Sequence, residues 1–127
     1  MIGFAGNIEK QTLSNTYFRQ VIYTAKYSQL VLMCLQPSEE IGMEIHEVTD
    51  QFFRFEEGEG KVVINGEEHS VKDGDAIIVP AGMQHNVINT SPDKQLKMYT
   101  IYSPPHHKDG IVHKTKAEAE ADTEDHL

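Results

Sequence analysis

The chain has 127 residues, a formal net charge of −9 and a single cysteine. That length suits one domain with a buried core, and acidity without a basic patch argues against nucleic acid or an anionic membrane surface as partner. A lone cysteine excludes an internal disulfide and points to a reducing compartment.

The N-terminal segment, residues 1–7, lacks the basic start and long apolar stretch of a signal peptide. No run approaches the ~20 apolar residues of a membrane helix, so a cytoplasmic location is expected. Short strands separated by turns follow: 17–24, 29–36, 43–47, 51–57, 61–64, 67–71, 76–79, 85–89 and 95–102. Cys34 falls in the apolar run 30–35 and reads as a buried, inert thiol. Asn65-Gly66 predicts a two-residue hairpin that needs positive φ. Asp73-Gly74 and Pro80-Ala81-Gly82 are further turn signals. Strands this short and this closely spaced predict an all-β sandwich or barrel.

Residues 52–55 and 76–79 are apolar on both faces, where a strand with one wet face would alternate. The outward face should therefore be covered, by a second copy or by the terminal segments. Ser103 to Gly110, with two prolines and the pair His106-His107, reads as a stiff irregular crossing. Thr115 to Glu118 fits a capping box and opens a short C-terminal helix. Lys114 to Leu127 carries five acidic residues and two lysines and reads as a solvated face.

His85 follows the Pro80–Gly82 corner and opens a strand, a rigid placement suited to a metal ligand or an acid/base. Gly74, Pro80, Gly82, His85 and Asn89 also carry a resemblance: they match every defining position of the second cupin motif. In that family the motif contributes one metal-binding His. The first motif supplies two His and a Glu, with a Gly seven residues after the Glu. Here Gly58 is that Gly, which puts Gln51 at the Glu position, His46 at the second His and Glu44 at the first. Ser38 stands where the family has Gly.

The resemblance covers roughly residues 29–102 and implies a cupin double-stranded β-helix, a jelly-roll barrel, with the short C-terminal helix appended. The chain is then one cupin domain over 1–127, with its barrel core at about 17–102 and a C-terminal extension at 103–127. Cupins commonly pair by sheet packing, so a homodimer is expected. The chain also looks like the small cupins grouped with mannose-6-phosphate isomerases.

Alternation puts Glu44 and His46 on one face, and Gln51, Phe53 and Phe55 on another. In the family register these faces are interior, so Glu44, His46, Gln51 and His85 converge as the metal set. Two imidazoles and a carboxylate with open positions are the ligand set of non-haem Fe(II), and the mixed set also suits Mn, Zn or Ni. One divalent transition metal is therefore implied. Gln51 is open to three uses: metal ligand, hydrogen-bond partner of a metal water, or substrate contact. Phe53 and Phe55 would form an apolar wall for a small-molecule substrate. Asp50 is the rival of Gln51, because a one-residue slip would exchange them and turn Arg54 inward. His69, His113 and His126 read as solvated, His106 and His107 as structural or surface residues. Tyr99 and Tyr102 read as core residues with satisfied hydroxyls.

Three functions are compatible. The first is a metal-dependent enzyme on a small carbonyl or sugar-like substrate, isomerase-like, with Glu44 or a bound water moving a proton. The second is an Fe(II) dioxygenase, and the third a cupin that binds a small ligand without turnover. Arg54, Lys72, Lys97 and Lys108 form no evident phosphate pocket.

Overall fold

The computed structural model describes residues 2–125, and it begins with a helix that the strand pattern does not announce. The side chain of Asn7 accepts the N–H of Lys10 and caps α1 (Ile8–Ser14). The helix has seven residues and buries only Thr12, so it leaves no apolar period to read in the sequence.

Nine strands follow: β1 (Arg19–Thr24), β2 (Gln29–Leu35), β3 (Asp50–Glu57), β4 (Glu59–Ile64), β5 (Glu67–Lys72), β6 (Ala76–Val79), β7 (His85–Asn89), β8 (Leu96–Ser103) and β9 (Val112–His113). They form two antiparallel sheets, ordered β6-β3-β8-β2-β1-β9 and β5-β4-β7, in the expected jelly-roll arrangement. Thr115 caps α2 (Lys116–Ala121) by accepting the N–H of Glu118, as the capping box predicts. The β4–β5 hairpin turns at Asn65 (φ 47°) and Gly66 (φ 84°), the left-handed pair that its sequence requires.

The segment 43–47 is not a strand. It makes a single bridge, Glu44 to His85, because the chain turns sharply at Gly42 (φ 109°) and leaves β7 again after Glu44. Ser38, in place of Gly, still adopts φ 62°.

The core lies between the sheets, and its inward rows follow from register. Val31, Met33 and Leu35 of β2 face Thr100, Met98 and Leu96 of β8, which in turn face Phe53 and Phe55 of β3. Val62 and Val87 close the row from the smaller sheet. Gly58 (φ 97°) pins one end of this arrangement. A Cβ there would collide with the backbone oxygen of Gln95, so β3 can turn into β4 against β8 only with glycine. At the same end Asn89 donates to the carbonyls of Leu35, Gln36 and Lys94 and ties β7 to two loops. The polar residues Gln51, Tyr102 and His85 occupy the opposite end.

On the outer face of the larger sheet, Nζ of Lys97 donates to the carbonyl of Leu13 at 2.6 Å and ties α1 to β8. Part of the apolar outer face is thus covered by a terminal segment, while Ile78 is 66% exposed. Cys34 is buried, and burial pushes its thiol up to about 11, in keeping with an inert role.

Candidate metal centre

Turn chemistry assembles the site. The Pro80–Gly82 corner donates the N–H of Gly82 to the carbonyl of His46 and the N–H of Ala81 to the carboxylate of Asp50. Glu44 and His85 exchange backbone hydrogen bonds at 2.8 and 2.9 Å. The second motif therefore holds the segment 44–50 in place as well as supplying His85. Asp50 is exposed and engaged by Ala81, whereas Gln51 is buried, which settles the strand register in favour of Gln51. Arg54 accordingly faces out and pairs with Glu56 at 2.9 Å.

Glu44, His46 and His85 each offer a ligand atom, and these atoms lie within 4.8 Å of one another. Nδ1 of His85 is 3.1 Å from the carbonyl of Met83. A carbonyl only accepts, so Nδ1 carries the proton and Nε2 is left with its lone pair. That Nε2 is buried and has no hydrogen-bond partner. Both ring nitrogens of His46 are likewise buried and unpartnered. Burial above all, then His106 and His85 nearby, lowers the His46 imidazole from its ordinary 6.5 to about 3. His46 is thus neutral at pH 7, the form that ligates metals. Gln51 donates through Nε2 to the Thr100 hydroxyl at 3.0 Å, while its Oε1 is buried without a partner. Orphaned buried acceptors cost stability unless something fills them. The donor set of two imidazoles, a carboxylate and an amide oxygen fits a divalent transition metal.

Phe53 and Phe55 are fully buried in the core with nearly parallel rings 6.2 Å apart. Beside the cluster lies a cavity of about 90 Å³, lined by Phe18, Arg19, Ile41, Glu44 and His106, with α2 along one side.

Of the histidines, His113 departs from expectation, while His106 and His107 take the structural alternative. His106 is not a surface residue: its ring centroid is 4.1 Å from that of His46 and 5.5 Å from that of Tyr102. Burial lowers its imidazole as well. His107 is buried between Asp125 and the Tyr102 hydroxyl. The backbone of this pair is gripped by one side chain. Gln29 Oε1 accepts the N–H of His106 and of His107, and Nε2 donates to the His107 carbonyl. His113 is buried rather than solvated, with Nε2 2.9 Å from Asp122. The acidic tail is therefore partly internal, because Asp122 and Asp125 serve as acceptors for buried histidines. His69 is half-exposed beside Glu67, and His126 lies outside the described residues. Arg19, Gln29 and Asp125 escaped the sequence reading. The only signal for Arg19 was its place on a strand face shared with Val21.

A family model described as "Cupin domain" matches residues 31–102. The uncharacterized protein YrkC of Bacillus subtilis is 47% identical over 124 residues, which are 93% of this chain and 66% of YrkC. The chain thus spans just under two thirds of that relative. A crystal structure of BH2720 from Bacillus halodurans is 45% identical and superposes with a TM-score of 0.91 over 94% of each chain. A Thermotoga maritima protein described as a predicted oxalate decarboxylase is 25% identical, with a TM-score of 0.59 over 63% of this chain and 69% of its own. Among the described residues no helix is long and apolar enough to cross a membrane.

Proposed function

The chain belongs to the cupin family, and on that premise we propose that it is a metal-dependent enzyme acting on a small carbonyl or sugar-like substrate, isomerase-like in its chemistry. One observation carries this reading: three ligand atoms gathered within 4.8 Å, with buried imidazole nitrogens that have no other partner. Glu44, His46 and His85 would hold one divalent ion, with Gln51 as fourth ligand. Such an ion supplies Lewis-acid polarisation of a carbonyl or hydroxyl oxygen.

The remaining chemistry falls to the chain's own groups. His106, its imidazole kept neutral by burial, lines the cavity and accepts or returns a proton there. Phe18 and Ile41 exclude water from one side. A phosphosugar substrate is disfavoured, because the cations expected for it are engaged elsewhere. Arg54 pairs with Glu56, Lys72 with Asp75 and Lys108 with Glu124, while Lys97 bonds α1. Likeness to a protein described as a predicted oxalate decarboxylase supports an enzyme over a passive binder.

The two-imidazole, one-carboxylate set favours a second reading, oxygen chemistry at Fe(II). Elemental mass spectrometry of wild type and of the His46→Ala/His85→Ala double variant tests the common premise. About one equivalent of metal, lost in the double variant, is expected. A wild type that takes up no iron, manganese, nickel or zinc would leave a non-catalytic ligand-binding cupin in its place.

A further inference from the structure

Arg19 is a charged residue on an inward face. It stands opposite Met33 of β2 and His113 of β9, and cross-strand partners share a face. Only 7% of its surface is exposed. Its contacts among the described residues are weak. Nη1 is 3.5 Å from Nδ1 of His113, the carbon of the guanidinium is 5.2 Å from the Phe18 ring centre, and Nε is buried without a hydrogen-bond partner. None of these contacts is a carboxylate. Asp122 and Asp125, the acids on this side, are taken by His113 and His107. A guanidinium keeps its charge and offers five donors in a planar fork. Burying that fork with one long contact is unfavourable unless an anion completes it.

The guanidinium lines the cavity of about 90 Å³ that Glu44 also lines, so the cavity adjoins the metal cluster. Lys116, the other lysine or arginine on its walls, lies 3.9 Å from Glu120, and the Glu44 carboxylate stands 3.9 Å from the neutral His46 ring, beyond hydrogen-bond reach. One water needs only ~10–15 Å³ of such cavity space, so the cavity has room for an acid of a few carbon atoms. We infer that this cavity binds a small carboxylate, clamped in its plane by Arg19, with the rest of the molecule directed at the Glu44, His46 and His85 centre. A carboxylate matches one planar fork, whereas phosphate brings a second charge for which the cavity holds no free cation among the described residues. The orientation toward the centre rests on the metal reading. The clamp does not.

Pyruvate is the probe, with pyruvamide as its neutral match, titrated by calorimetry into the protein as purified and after chelation. Pyruvate is expected to bind and pyruvamide not, with affinity falling at least about tenfold in Arg19→Lys, which keeps the charge but not the fork. Equal binding of the two probes to wild type overturns the proposal without any variant. So does failure of pyruvate, acetate and oxalate alike, or tighter binding of inorganic phosphate than of every carboxylate. An Arg19→Lys protein that folds and binds pyruvate as wild type does is equally fatal. The two readings separate in His85→Ala. Pyruvate binding that still depends on Arg19 in this metal-free variant supports the clamp by itself, and a wild type that takes up no metal sinks the metal reading alone. Pyruvate binding indifferent to Arg19 in a metal-loaded protein sinks the clamp alone.

Discussion

Nδ1 of His107 lies 2.8 Å from Oδ2 of Asp125, with both side chains almost wholly buried. An ionised carboxylate only accepts, so Nδ1 carries the proton and Nε2 takes the Tyr102 hydroxyl at 3.1 Å. The other Asp125 oxygen accepts the N–H of Lys108. One carboxylate near the C-terminus thus locks the 106–108 crossing against the barrel and fixes the wall that His106 presents to the cavity.

Removing that acceptor strands a buried imidazole and a backbone N–H. Asp125→Ala is expected to lower stability by about 3 kcal/mol, and Asp125→Asn, which can still accept, by less. Urea unfolding measures both. A loss below about 0.5 kcal/mol in the alanine variant would place the pair among inconsequential contacts.

The neutral His46 makes the metal-free protein sensitive to acid. Its native value of about 3 lies below the ordinary 6.5, so in that window the unfolded chain binds a proton that the native one refuses. Stability is therefore whole above pH 6.5 and falls as pH drops toward 3, by about 1.4 kcal/mol per pH unit for this group. Burial moves His107 the same way and steepens the slope. Urea midpoints of chelated protein from pH 7.5 down to 4.5 should decline, less steeply in His46→Phe. A flat profile for wild type would mean that His46 titrates in the native state.

Two residues of the same strand separate chemistry from architecture. His85→Ala is expected to fold and to lose metal. Asn89→Ala is expected to keep its metal stoichiometry yet lose about 2 kcal/mol, because the carbonyls of Leu35, at the end of β2, and of the loop residues Gln36 and Lys94 forfeit their donor. Metal analysis beside urea unfolding reads both, and metal loss in Asn89→Ala would show that the two roles are not separable.

Glycines with similar dihedral angles should respond differently. Gly66→Ala meets no atom within 4 Å and should cost about 1 kcal/mol for its left-handed backbone alone. Gly58→Ala adds a backbone collision with Gln95 and should cost about 3 kcal/mol or more. Equal losses would mean that the β3–β4 turn relaxes away from β8.

Much of the barrel was legible because its signals are local. Asn65-Gly66 needs two left-handed residues wherever it occurs, and β6 and β7 coincide with their expected limits because turn residues bound them. The segment 43–47 has the pattern of a strand without being one. Its alternation is real, but a ladder needs a partner along its length and it meets β7 only at Glu44. His113 reads as solvated because its acceptor, Asp122, sits in a stretch whose composition resembles a wet tail, and the choice between structure and surface for His107 depends on Asp125 in the same stretch.

By itself the sequence determined the turns, the strand periods and the spacing that sets His85 behind the Pro80–Gly82 corner, since these depend on backbone sterics within a few residues. The tertiary structure alone decided which polar groups become neighbours. Whether Arg19 points to water or to the cavity, and whether an acidic tail is solvent or scaffold, follows from cross-strand register and from packing between distant segments. No local rule encodes these, because the free energy of a buried charge depends on what the rest of the chain brings to it.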